Sequence, residues 1–146
     1  MNNQHADINV GKPNFQPVPK RFMVWDKEEK KFSQNPFSRD NIFTLVDVCI
    51  FLVQERLFAK HPVSRYVIFQ STNLFDKDGK EIFEGSIIHA LMAKWLVKQD
   101  KGCMCAFNYR TGVVMPLYKI EMSATKNIGH IFSDPELLGG KCQKSR

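Results

Sequence analysis

The run FDKDGKEIFEGSII, residues 75–88, places two carboxylates and a glycine within four residues, Asp76-Lys77-Asp78-Gly79, as the opening of a calcium loop would. A loop begun at Asp76 needs an oxygen ligand at its fifth position, a glycine at its sixth and a bidentate Glu at its twelfth. Those places hold Lys80, Glu81 and Ile87, so calcium is excluded on three counts. A polar Asp-Lys-Asp-Gly turn before an apolar run is instead a hairpin signal. Asp76, Asp78, Gly79, Glu84 and Gly85 then have structural work, setting turn geometry and strand register, with the two Asp side chains accepting nearby backbone N–H groups.

Other candidates for chemistry are sparser. Cys103-Met104-Cys105 is a C-x-C pair, with Cys142, His89 and His130 elsewhere. Zinc usually takes C-x₂₋₄-C with a second matching pair, so neither metal nor cofactor is expected. In a strand the two thiols share one face and would both be packed or both exposed. No Ser or Cys sits in a recognised nucleophile motif beside a histidine, and Gly139-Gly140-Lys141 lacks the helix that a phosphate loop requires. No catalytic residue is assigned, and the chain is not expected to be an enzyme. One patch interleaves cations with rings: Lys94, Trp95, Lys98, Lys101, Phe107, Tyr109 and Arg110, with Tyr118 beyond. Bases could stack on such rings while cations meet phosphates, which makes nucleic-acid binding the alternative function. The preferred explanation of the same residues is core aromatics with cations guarding strand edges.

What must position these residues is a chain of 146 residues, the size of one domain, with 43% hydrophobic and 25% charged residues. The net charge of +6 is mild, and the cations are mixed with acids along most of the chain. No apolar run is long enough for a membrane span, and residues 1–19, polar and proline-rich, contain no secretory h-region; they are expected to form a flexible tail. Cysteines at 49, 103, 105 and 142 have no framework spacing, which suits reduced thiols in a cytoplasm. Residues 139–146 form a basic tail.

Between the tails, Arg21-Phe22-Met23-Val24-Trp25 reads as a strand, followed by a charged turn and a return at Lys31-Phe32. From Ser38, a fair N-cap, to about Glu55 the period becomes helical. Ile42, Leu45, Val46, Cys49, Ile50 and Val53 line one face, and Phe43, Val48, Phe51 and Leu52 make the other apolar too. Such a helix would be buried on most sides, and its apolar surplus could be an oligomer interface. Residues 88–97 fit both a helical stripe and two strands about a short connection. Strands at 103–109, 113–118 and 128–132 complete a small antiparallel barrel or roll with one helix on its N-terminal side.

Three segments together resemble the YopX family, which occurs in bacteriophages and prophages: Arg21–Glu28, similar to "FRVWDKE"; Gln70–Ile87, similar to "QYTGLKDKNGKEIYEGDIV"; and Ile128–Leu138, similar to "IGNIYENPELL". Asn73 stands where that family usually has Gly and joins the turn motif, since Asn tolerates positive φ. Ser86 replaces the usual Asp and can fill its place only as a neutral group. The resemblance implies a mainly β (α+β) fold over residues 20–138, with an N-terminal hairpin and helix to residue 70. An SH3-like barrel over 71–138 would then make strands, not helix, of 87–97. It also implies a phage or prophage protein in a bacterial cytoplasm, and it carries no established activity. The expectation is a non-catalytic interaction module that binds an unidentified protein or itself.

Overall fold

Charged turns separate short β-branched and aromatic runs along this chain, and the computed structural model, which describes residues 17–139, pairs those runs into two antiparallel sheets. Of the expected tails, residues 1–16 and 140–146 lie outside the described residues. The first sheet holds β1 (Arg21–Asp26), β2 (Lys31–Phe32), β3 (Phe43–Thr44), β4 (Tyr66–Phe75) and β5 (Glu81–Phe83). Its order is β2-β1-β4-β5, with β3 also on β1. The second holds β6 (Ser86–Ala90), β7 (Ala93–Asp100), β8 (Cys103–Phe107), β9 (Val114–Pro116) and β10 (Lys126–His130) in the order β10-β6-β7-β8-β9. It curls into a barrel-like wall. The fold is mainly β with one α-helix among the described residues, as the sequence and the resemblance imply. No helix among them is long and apolar enough to cross a membrane.

Residues 86–100 are two strands joined by a two-residue turn, Leu91-Met92, with Ile88 opposite Trp95. The helical stripe arises because both side chains face one core: Ile82, Ile88, Trp95, Val97, Ala106, Leu117 and Ile120 pack together inside the curl. A second core lies between the first sheet and the helix, built from Val24, Phe43, Val48, Phe51 and Tyr66.

The helix departs from its sequence expectation. Helix α1 spans Leu45–Leu57, not Ser38 to Glu55. Thr44 caps it: Asp47 N donates to Thr44 Oγ1 (3.1 Å), and Thr44 N donates to Asp47 Oδ2 (3.2 Å), a reciprocal capping box. Ser38 gives its hydroxyl to Asp40 instead. Nor is the helix buried on most sides, as its two apolar faces imply. Val48 and Phe51 are buried, with Phe51 stacked edge-on between Phe43 (5.4 Å) and Tyr66 (5.3 Å). The row Leu45, Val46, Cys49, Ile50 and Val53 faces solvent.

Candidate functional site

Asp76 answers the question its motif raises. One carboxylate oxygen accepts the N–H groups of Asp78 and Lys80 (both 2.8 Å), and the other accepts Asn127 N from β10 (2.7 Å). Burial pushes this carboxyl up, but the donors from Asn127, Lys80 and Asp78 outweigh it and hold Asp76 below the usual carboxylate range. Both oxygens accept backbone donors, which ties the carboxylate to its own turn and to β10. Gly79, at φ +82°, closes the turn with its N–H on Asp76 O. Asp78, contrary to expectation, accepts no backbone N–H among the described residues and meets Lys126 at 3.2 Å on the surface. Asn73 takes φ +63° where the β4–β5 register slips between Ser71 and Leu74.

The second half of the motif seats a histidine. His130, at the end of β10, is 4% exposed and lies among Phe32, Phe69 and Phe132 at ring distances of 5.0, 4.5 and 6.0 Å. Trp25 closes the group against Phe32 and Phe132. Phe132 N donates to His130 Nδ1 (3.1 Å), so the proton sits on Nε2, which donates to Glu84 O (3.0 Å). Burial in this aromatic setting lowers the imidazole to about 4, against weaker raising effects from Glu84 O and Asp134. Gly85, at φ +91°, is required here: a Cβ would stand 2.4 Å from His130 Nε2. Ser86 Oγ accepts Phe83 N at 2.9 Å in a buried turn. It supplies a neutral acceptor at this position.

Across the barrel wall lies a groove of about 730 Å³, bounded by the Leu91-Met92 turn, the Asn108–Thr111 turn and the 3₁₀ turn Pro135–Leu138. It brings together Lys94, Tyr109 and Arg110 of the sequence patch and adds His89 and Met92. Lys94 Nζ donates to Leu137 O at 3.1 Å. Phe107, on the same strand end, carries the Lys98 ammonium 4.5 Å above its ring and packs edge-on to Tyr109 at 5.2 Å. Lys101 sits apart, in the β7–β8 turn. Trp95 must be removed from the stacking residues: it is 5% exposed in the core, and its indole N–H donates to Ala90 O (2.8 Å).

The outer face of α1 is the other open surface. Val46, Ile50, Val53 and Leu57, at i, i+4, i+7 and i+11, are 63, 40, 56 and 57% exposed, with Leu45 and Phe58 alongside. The helix's carboxylates are engaged elsewhere. Asp47 serves the cap and also accepts Asn35 Nδ2, while Glu55 accepts the Tyr66 hydroxyl (2.6 Å) and lies 2.8 Å from His61 Nδ1. The Tyr66 bond first, then His61, holds Glu55 below its usual range against burial. Among the described residues no group of three or more His, Cys, Asp or Glu is placed to hold a metal. The C-x-C thiols differ in exposure, contrary to expectation, because Cys103 lies at the open start of β8; Cys105 is buried, which pushes its thiol up.

A comparison with family models matches residues 21–139 to the family described as YopX protein. The chain belongs to the YopX family. Among solved structures, it is similar to protein EF1440 from Enterococcus faecalis, with 22% identity over 84% of this chain and 99% of that one, and a TM-score of 0.52. It is also similar to protein yopX from Bacillus subtilis, with 18% identity over 81% and 97% of the two chains and a TM-score of 0.46. Curated proteins give no match.

The segments that carry the YopX resemblance all serve architecture in this member. In the first, Asp26 accepts Glu28 N and Glu29 N and takes both Nε and Nη2 of Arg65 at 2.9 Å, with both side chains about nine-tenths buried. The second meets the third at Glu84–His130 and, through Asp76, holds Asn127, the residue just before the third. The residues that sequence reasoning missed lie outside the conspicuous motifs. Leu91 and Met92 were hidden in a helix-like stripe; the apolar surplus of the helix was legible, but not which of its faces stays open. The Thr44-Leu45-Val46-Asp47 capping signature was the available signal for the true helix start.

Proposed function

We propose that this YopX-family protein is a non-catalytic interaction module that self-associates through the outer face of α1, in the cytoplasm of bacteria carrying phage or prophage genes. The setting rests on the family's occurrence in phages and prophages. The self-association rests on one observation, the exposed seam of Val46, Ile50, Val53 and Leu57. Its spacing is that of helices packing ridge into groove, and an apolar row this long on a surface helix marks a contact face. A second copy is the occupant because the seam carries no charge that would repel itself, and a two-fold axis lets one patch meet its equal.

Light scattering coupled to size separation tests this. The wild type is expected to run as a dimer, and Val53→Asp as a folded monomer, since the side chain touches solvent and changes stability by no more than about 0.5 kcal/mol. A wild type that stays monomeric at every concentration tested contradicts the proposal. Phe43 and Phe51 are unsuitable for this purpose: both are core residues, and an Asp at either would unfold the chain.

A further inference from the structure

We infer that the groove on the barrel wall binds single-stranded nucleic acid, with backbone phosphates on Lys94 and Arg110 and a base on Tyr109. The groove's volume of about 730 Å³ falls within the usual range of ligand clefts. Among the described residues no carboxylate lines it, and neither Lys94 nor Arg110 joins an ion pair. Among the described residues the Lys94 ammonium has only a neutral carbonyl beside it, and the positive charge these residues give the groove favours an anion.

The apolar features narrow the anion's class. Tyr109 is 43% exposed, yet its ring is oriented by the edge-on contact with Phe107. The adjacent turn places Leu91 at φ +51° and Met92 at φ +59°, and Met92 is 95% exposed. A two-residue hairpin turn with both φ values positive favours Asn-Gly. Two bulky apolar residues there accept backbone strain and solvent exposure together, and strain of that kind collects at ligand sites. Cations beside a held ring and an apolar tip suit a ligand with an anionic backbone and planar faces. Those faces must be unstacked to meet Tyr109, which selects a single strand over a duplex.

The test is an anisotropy titration of fluorescein-labelled oligothymidylate, and of a labelled duplex, at about 50 and about 200 mM salt. The wild type should bind the single strand more tightly than the duplex and lose affinity as salt rises. Lys94→Gln with Arg110→Gln should weaken binding at least about tenfold at low salt and flatten the log–log salt slope by about 1.4. Tyr109→Ala should weaken it about tenfold with the slope unchanged. All three positions are exposed, so the melting temperature should not move. Absence of binding at low salt overturns the inference, as do variants that bind like the wild type or a duplex bound as tightly as the single strand. Complete displacement by polyglutamate at equal charge, with Tyr109→Ala then harmless, would assign the groove to an acidic protein and overturn it too.

Discussion

Around His130 the rings are packed and the polar atoms paired, whereas on the outer face of α1 a row of aliphatic side chains meets solvent. No buried side-chain N or O atom among the described residues lacks a hydrogen-bond partner. The first region contains the residues that look chemically equipped: two aspartates, a histidine, and glycines in a recurring pattern. Apart from the exposed Asp78, their polar groups are engaged inside the fold. The second is a row of Val, Ile and Leu beside Cys49 and Phe58, and it is the one left with unburied surface. A conspicuous motif therefore indicates where the chain must hold a difficult backbone, and the surfaces open to partners are made of ordinary residues in an unusual place.

The sealed region should break most severely at its tightest point. Gly85→Ala meets a positive φ and a Cβ 2.4 Å from His130 Nε2, so we expect a loss of about 3–5 kcal/mol in urea unfolding. On α1, Ile50→Asp should change that measurement by less than about 0.5 kcal/mol at a protein concentration low enough for the wild type to be monomeric. Equal losses at the two sites would dissolve the contrast.

Acid is the next largest probe. His130 has an ordinary value of 6.5 and about 4 in the folded chain, so the unfolded chain takes up the proton first. The stability tied to the neutral ring is fully present above 6.5. It falls as pH drops from 6.5 and levels off near 4, a loss of about 3 kcal/mol. Asp26 and Asp76, both held below their ordinary 3.8, add a further loss at lower pH as protonation reaches them. Urea midpoints at pH 7 and pH 4 measure this. A flat profile would mean that the ring is not sealed from water.

How much of this contrast was legible beforehand differs by residue. The Asp-Lys-Asp-Gly turn could be read because turn chemistry is local: carboxylate, glycine and N–H donors lie within five residues. That Asp76 also holds Asn127, 51 positions away, could not be read from spacing. The helix was legible as a helix, but its two apolar faces were equivalent on paper. Phe51 lies inward because Phe43 and Tyr66 offer it edges, a choice made by the sheet and not by the helix. Leu91-Met92 could not be recognised as a turn, since neither residue favours positive φ.

Two smaller effects sharpen the comparison further. Asp76→Ala removes the acceptor of three backbone N–H groups and should cost about 2 kcal/mol, while Asp78→Ala, whose Lys126 partner is exposed, should cost less than about 0.5 kcal/mol. Replacing Leu91-Met92 by Asn-Gly should raise stability by about 1 kcal/mol, because the turn then has residues suited to its φ values. Thermal unfolding resolves both. A loss on the Asn-Gly change would show that the apolar tip is packed rather than presented.

The most direct test of the central claim is sedimentation equilibrium of the wild type and of Ile50→Asp over a hundredfold range of concentration. The wild-type mass should rise to that of two chains and the variant's stay at one, with equal melting temperatures at low concentration. A single-chain mass for the wild type throughout, or a variant that still pairs, would contradict it.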